Sequence, residues 1–465
     1  MESDSRKPSE DEGVLSPALA GDPQESDSSR NPVNVNGLVR NREIPPPVGP
    51  RSQLPPRTEV QPQRGWRNTF SSLKSRDYLV LWLGMIAMMG GMQMQMLARG
   101  YLVYDLTGSA SLLGIVSAGS AVPMLVLALF GGAIADRFDR KRLIQIGQII
   151  VGLLALVVGI AIFTELVRWY HLFAASLIQG AIWSFMMPAR QAIIPQVVAP
   201  EKIGNAMALN AAGMSAMTLL APAIAGSLYA FAGPANVYFV ITGLSILAVF
   251  MTTLIRQTNG STSSRKRAML SDIVAGLSYI KGNQMVLVLL VMGLATTLFA
   301  SPFRMLLPVF VVDIYGRGPD SMGLLVAIMG GGSLAGSLVI AALGNWRRGM
   351  LLIVGAFASG VALLLIAAFP YYYAAAAIML LVGLGDSGRR TINMGLIMEV
   401  VEDQYRGRVM SVFMMNFGLM PLGMLPAGLA VDYFGGPTAI SILGGLLLAV
   451  AAIVLLTQKR LRAFQ

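Results

Sequence analysis

Gly131-Gly132-Ala133-Ile134-Ala135-Asp136-Arg137-Phe138-Asp139-Arg140-Lys141-Arg142 joins two apolar runs, 109–135 and 143–163, each long enough to cross about 30 Å of hydrocarbon as a helix. Within six residues the chain passes from an uninterrupted apolar face to four basic side chains, so this stretch reads as a short polar turn between two bilayer-spanning helices. Outward from it the same alternation repeats. Runs at 78–104, 109–135, 143–163, 171–188, 204–231 and 237–254 precede a polar interval, and runs at 285–312, 323–343, 350–369, 371–392, 409–431 and 438–456 follow it. The chain of 465 residues is 55% hydrophobic and 13% charged, where a soluble domain is about a quarter charged. The sequence therefore predicts an all-α membrane protein of twelve transmembrane helices in two pseudo-symmetric six-helix bundles.

The polar interval and the ends give the domain organisation. Residues 1–73 are rich in Ser, Pro and charge without apolar periodicity, and predict a disordered cytoplasmic tail. Residues 74–255 form the first bundle, 256–283 a cytoplasmic linker, 284–457 the second bundle and 458–465 a cytoplasmic C-terminus. In the linker, Ile273, Leu277 and Ile280 recur at helical spacing, the pattern of a piece lying along the inner headgroups and tethering the halves. The start lacks the basic-then-apolar pattern of a secretory signal, so the first span is expected to direct insertion.

The net charge of +11 is explained by topology. Basic residues cluster before helix 1 and after helices 2, 6, 8, 10 and 12, all connections on one side, while the opposite loops hold little beyond Arg168 and Arg317. Lys and Arg are retained on the cytoplasmic side, so both termini are expected there, in a multi-pass cell-membrane protein that needs no nucleic acid to account for its charge. With no cysteine and one histidine, His171, neither a multi-histidine or cysteine metal site nor a His-based triad is expected. No nucleotide-binding Gly-x-x-x-x-Gly-Lys-Ser/Thr loop occurs. No enzyme, cofactor or metal is expected.

The halves echo one another. Residues 103–108, Val-Tyr-Asp-Leu-Thr-Gly, match 311–316, Val-Val-Asp-Ile-Tyr-Gly, and Phe231-Ala232-Gly233-Pro234 matches Phe434-Gly435-Gly436-Pro437. Parallel repeats of this kind build transporters whose substrate lies between the repeats.

With a glycine four residues before Asp136-Arg137 and a basic cluster after, the loop at 131–142 resembles the signature loop of the major facilitator superfamily. Pro188-Ala189-Arg190-Gln191-Ala192, 205–210 (Asn-Ala-Met-Ala-Leu-Asn) and 406–411 (Arg-Gly-Arg-Val-Met-Ser) are similar to the branch holding siderophore and macrolide exporters. The resemblance runs from helix 1 to helix 12. It implies secondary active transport of a small organic molecule by alternating access, with efflux coupled to protons. It also implies a conformational latch in which Gly132 allows close approach and Asp136 meets a helix N-terminus of the other half, helix 11, with Arg137, Arg140 and Lys141 ordering the junction. The alternative for the basic cluster is topology alone. Alignment of the halves puts Asn345 and Trp346 opposite Asp136 and Arg137, which predicts an asymmetric gate. An importer or facilitated carrier, and a transporter-like sensor or scaffold acting through the tail, are the rival readings; a functional monomer is expected.

Charges at membrane depth are costly and mark function. Arg99 and Arg304 fall late in helices 1 and 7. Asp386 falls inside helix 10 with Arg389 and Arg390 three and four residues on. Two roles stay open for Asp386: a proton-exchanging carboxylate, or one arm of a permanent ion pair. Pro222 and Gly226 in helix 5 predict a kink and a thin packing face, which antiport and plain packing explain equally. Met92, Gln95, Met96, Trp183, Asn210, Asn393 and Asn416 are candidate cavity residues. The methionines of helix 1 read as adaptable lining rather than a copper site.

Overall fold

The computed structural model describes residues 71–127, 139–256, 277–344, 347–420, 422–462 and 464. The loop segment 128–138, holding Gly132, Asp136 and Arg137, lies outside the described residues, as do Asn345, Trp346, residues 1–70 and linker residues 257–276.

The chain is helical throughout the described spans. The first half comprises α1 (Arg76–Thr107), α2 (Ala110–Leu127), α3 (Arg140–Phe163), α4 (Trp169–Val197), α5 (Ile203–Ala232) and α6 (Pro234–Thr253). The second comprises α7 (Gln284–Ile314), α8 (Pro319–Leu343), α9 (Arg348–Ala368), α10 (Tyr372–Val400), α11 in two pieces (Asp403–Leu419 and Met424–Phe434) and α12 (Gly436–Thr457). Ten helices among the described residues are long and apolar enough to cross a bilayer. The other two differ from a simple apolar span for visible reasons. Three charged residues interrupt α10, and α11 is broken where the sequence reads Met420-Pro421-Leu422-Gly423, a proline and a glycine that disfavour continuous helix. Large apolar side chains stand exposed along the outer helices, Val157 at 62%, Ile246 at 64% and Leu338 at 64%, a surface that suits lipid rather than water.

Let the end at which α1 begins be the near end and the opposite one the far end. Towards the far end a single apolar core runs through both halves, joining Leu97 and Val103 of α1, Ala225 of α5, Phe310 of α7, Leu325 of α8 and Ala427 of α11. Towards the near end there are two separate cores, one built on Tyr78, Met88 and Ile193 of the first half, the other on Leu289, Leu396 and Val409 of the second. Among the described residues the halves therefore share one core at the far end and keep separate cores at the near end.

The inter-half contact at the far end runs along two seams of helix pairs, α5 with α8 and α2 with α11. Both seams need residues without side chains. A Cβ at Gly226 would stand 2.4 Å from the Pro319 carbonyl oxygen, and one at Gly323 2.5 Å from that of Pro222. A Cβ at Gly114 would stand 2.8 Å from the Met424 carbonyl oxygen, and one at Gly428 2.3 Å from that of Ala110.

The repeat is visible in backbone conformation, with one shift. Gly108 and Gly316, matched in sequence, both adopt left-handed φ, +61° and +60°, after α1 and α7. In the second match the like-conformed residues are Gly233 and Gly435, both at φ +83° and both preceding a helix with proline in its first turn. The sequence pairing of Gly233 with Gly436 is thus one residue out, because the second half places Pro437 at the second rather than the first helical position.

Two element boundaries also differ from expectation. The stretch expected to be tail up to residue 73 ends in a 3₁₀ turn, Ser71–Lys74, docked on the start of α5: the Ser72 amide donates to Asn205 Oδ1 (3.1 Å) and its hydroxyl to the Lys202 carbonyl (3.2 Å). The linker's last turn joins the second half, with Ile280 buried in its near-end core and Tyr279 stacked on Tyr405 at 4.2 Å, while Leu277 stays exposed.

Candidate functional site

A cleft lies between the halves just below the far-end core. From the first half it is lined by Met96 and Arg99 of α1 and Pro222 of α5, and from the second by Arg304 and Met305 of α7 and Met322 of α8. Eight residues separate Arg99 from the end of α1 and ten separate Arg304 from the end of α7, which at about 1.5 Å per residue puts both guanidiniums at hydrocarbon depth. Arg99 is held by neutral groups: its Nη1 donates to Gln179 Oε1 (2.9 Å), and Gln179 Nε2 donates to Gln95 Oε1 (2.6 Å), with both glutamines buried.

A second pocket lies within the second half, lined by Gly293 and Thr297 of α7, Arg389, Arg390 and Asn393 of α10, and Phe413, Asn416 and Met420 of α11. Asp386 sits one turn before the arginines and engages both. Arg389 Nη2 is 2.5 Å from its Oδ1 and Arg390 Nε 2.8 Å from its Oδ2. The Arg389 guanidinium also donates to Thr296 Oγ1 on α7, tying α10 to α7 beneath the pocket. Among the described residues, three buried atoms around this pocket have no hydrogen-bond partner: Arg389 Nε, Asn393 Oδ1 and Asn416 Nδ2. Unpaired polar atoms at depth cost free energy and mark a place where water or ligand is expected to sit.

The sequence candidates divide accordingly. Met96, Arg99 and Arg304 meet in the inter-half cleft, and Arg389, Arg390, Asn393 and Asn416 in the second pocket. Gln95 is a buried support for the arginine relay. Trp183 is buried in the first-half near-end core and Met92 packs against it, both away from the cleft lining. Asn210 makes a local contact, its Nδ2 donating to Met214 Sδ one turn along α5 (3.9 Å). Pro222 and Gly226 sit in the α5 and α8 seam. His171 caps its own helix, its Nδ1 accepting from the Arg168 amide at 3.1 Å. Of the loop residues that are described, Lys141 is engaged within the first half: its Nζ donates to the carbonyls of Thr253 (3.0 Å) and Ile255 (2.5 Å) at the end of α6, a cation at a helix C-terminus. Arg140 begins α3, and Arg142 lies 3.9 Å from Asp139.

Sequence reasoning missed the polar clasp at the far end. Asp432, on α11, accepts from the amides of Ala110 and Ser111 and from Ser109 Oγ, each at 2.8 Å, so a second-half carboxylate caps the first turn of first-half α2. Beside it, the Tyr104 hydroxyl on α1 donates to Asp313 of α7. The only sequence sign was Thr107-Gly108-Ser109, a helix-start signature whose capping partner lies over 300 residues away.

Comparison with known proteins agrees with this architecture. The profile of the Major Facilitator Superfamily matches residues 81–424. Macrolide efflux protein A of Streptococcus pyogenes is 23% identical over 385 residues, covering 81% of this chain and 94% of that protein. The staphyloferrin A transporter of Staphylococcus aureus is 26% identical over 367 residues, with 76% and 89% covered. The multidrug efflux pump Tap of Mycobacterium tuberculosis is 26% identical over 385 residues, with 78% and 89% covered. Among solved structures, the nucleoside transporter NupG superposes with a TM-score of 0.71 at 13% identity over 82% of this chain and all of that one. A bacterial homologue of the lysosomal transporter Spinster, inward-facing and unoccupied, gives 0.63 at 13% identity over 86% and 97%.

Proposed function

The chain belongs to the Major Facilitator Superfamily, and on that premise we propose that it exports a small organic molecule across the cell membrane by alternating access, with inward protons as the driving ion. The observation that carries this reading is the division of the core: one apolar body shared by both halves at the far end, two separate bodies at the near end, and an arginine-lined cleft between. Two bodies hinged in this way expose a central site to one aqueous phase at a time. Export is favoured by the relatives, two of which are named for efflux. The near end, holding Lys74, Lys141, Arg256, Arg347 and Lys459, is assigned to the cytoplasm by its basic residues. On this assignment the separate near-end cores support a cytoplasm-open state, the one that loads cargo for export.

The latch role of Gly132, Asp136, Arg137, Arg140 and Lys141 remains part of the proposal, as the clasp that closes the near end when the far end opens. Asp386 is the candidate proton site by position, yet it is bound on both oxygens by arginine, an arrangement that supports an architectural role instead. The test is a metabolite and toxicity profile of cells with and without the intact gene, followed by flux of the accumulated compound in inside-out vesicles. Uptake driven by an acid interior, and abolished when the pH gradient is collapsed, is the expected result. Uptake in right-side-out vesicles alone would establish an importer, and uptake indifferent to the gradient would remove proton coupling.

A further inference from the structure

The ionisable groups at the two pockets are strongly unbalanced. Arg99 and Arg304 line the inter-half cleft, Arg389 and Arg390 line the adjacent pocket, and Arg304 lies within electrostatic range of Arg390 and Asp386, so the two form one tract. Among the described residues Asp386 alone opposes them, and its two oxygens are taken by Arg389 and Arg390. Four guanidiniums against one carboxylate leave three positive charges at bilayer depth. Among the described residues neither Arg99 nor Arg304 has a carboxylate partner. Arg99 is orientated by an uncharged glutamine pair, which fixes its geometry without neutralising it.

Uncompensated charge in a low-dielectric interior is expensive, and a guanidinium keeps its proton under nearly all conditions. A tract that retains three such charges is stabilised most by a mobile anion. Resting on the export reading above, we infer that the transported molecule is an organic anion with at least two acidic groups, held between Arg99 of the first half and Arg304 of the second. Its uncharged hydrogen-bonding portion reaches the unpaired Arg389 Nε, Asn393 Oδ1 and Asn416 Nδ2, while Met96, Met305 and Phe413 offer it apolar contact. Because the two anchoring arginines belong to different halves, such a ligand bridges bodies that move relative to each other. A cation of the same size meets net repulsion at every one of these positions.

The test uses two xanthene dyes with the same apolar skeleton and opposite charge. Full-length protein in lipid nanodiscs is titrated with carboxyfluorescein and with rhodamine 6G, and bound dye is read by fluorescence anisotropy at constant ionic strength. Saturable carboxyfluorescein binding, at least about tenfold tighter than that of rhodamine 6G and displaced by citrate but not by equal ionic strength of chloride, is the expected result. Arg99→Gln and Arg304→Gln should each weaken it about tenfold, whereas Arg99→Lys and Arg304→Lys, which keep the charge, should stay within about threefold. Equal or tighter rhodamine binding, binding of neither dye, or unchanged affinity in folded glutamine variants overturns the inference. Vesicle flux separates this result from the export reading: an anion that binds yet is not moved outward sinks export alone, and export of rhodamine but not carboxyfluorescein sinks the anion assignment alone.

Discussion

Asp386 is the side chain on which two accounts of this transporter diverge. It bridges Arg389, buried to 5% exposure, and Arg390 within a single helix face, and Arg389 in turn holds Thr296 of α7. Removing the carboxylate leaves a buried guanidinium without a counter-charge, a loss of about 3 kcal/mol or more in other buried pairs. Asp386→Asn is therefore expected to lower the unfolding temperature of the purified protein clearly, with Asp386→Glu intermediate, as measured by thermal unfolding in detergent. If Asp386→Asn keeps its stability but loses proton-driven flux, the carboxylate is a coupling group rather than a structural one. At Asn205 the structure supplies a reason for the residue type that its motif left open: the amide oxygen receives the Ser72 amide and fixes the chain where it enters α1.

The helix pairs that join the halves make separable predictions. In the α2 and α11 seam, Asp432 accepts three hydrogen bonds at the start of α2, where a negative charge also complements the helix dipole. Asp432→Asn should weaken far-end closure by about 1 to 2 kcal/mol, enough to raise the far-end-open population about fivefold to thirtyfold. Distances between spin labels placed at Thr107 and Tyr433 would report it; an unchanged distribution would show the clasp to be dispensable. In the α5 and α8 seam the constraint is steric. The Pro222 carbonyl oxygen stands 2.5 Å from where a Cβ at Gly323 would be, so Gly323→Leu cannot be accommodated without separating the helices. That variant should fold, since each half keeps its own near-end core, but should fail to close at the far end and lose transport. Disulfide trapping between cysteines introduced at Leu219 and Gly330, whose backbones approach closely, should drop in the Gly323→Leu background.

For the molecule as a unit, the orientation in the bilayer is the first thing to measure. Thr107 lies at the far end and Arg256 at the near end, so Thr107→Cys and Arg256→Cys should be labelled by an impermeant maleimide from opposite faces of sealed vesicles, with Thr107→Cys reacting on intact cells. Labelling of both from one face would remove the two-bundle topology; labelling of Arg256→Cys on intact cells would invert it. Much of this architecture was legible in advance. Twelve apolar runs, a central polar interval and one-sided basic loops are linear properties, because burial in lipid acts on each segment separately and needs about twenty residues whatever the neighbours are. The same logic picked out Arg99, Arg304, Asp386, Arg389 and Arg390, since charge at depth is conspicuous in any such run. It could not tell Trp183 and Met92, which pack in the first-half core, from Met96, which lines the cleft, because one helix presents all of its faces to the sequence alike. Nor could it find the Asp432 clasp or the shift by one residue between Gly233 and Gly435: each depends on which helices meet, and at what height, a matter of packing between segments hundreds of residues apart. Solvation of individual segments, then, wrote the count of helices and their charges into the chain, while the contacts between halves, and with them the shape and sign of the cleft, arise from how those helices pack.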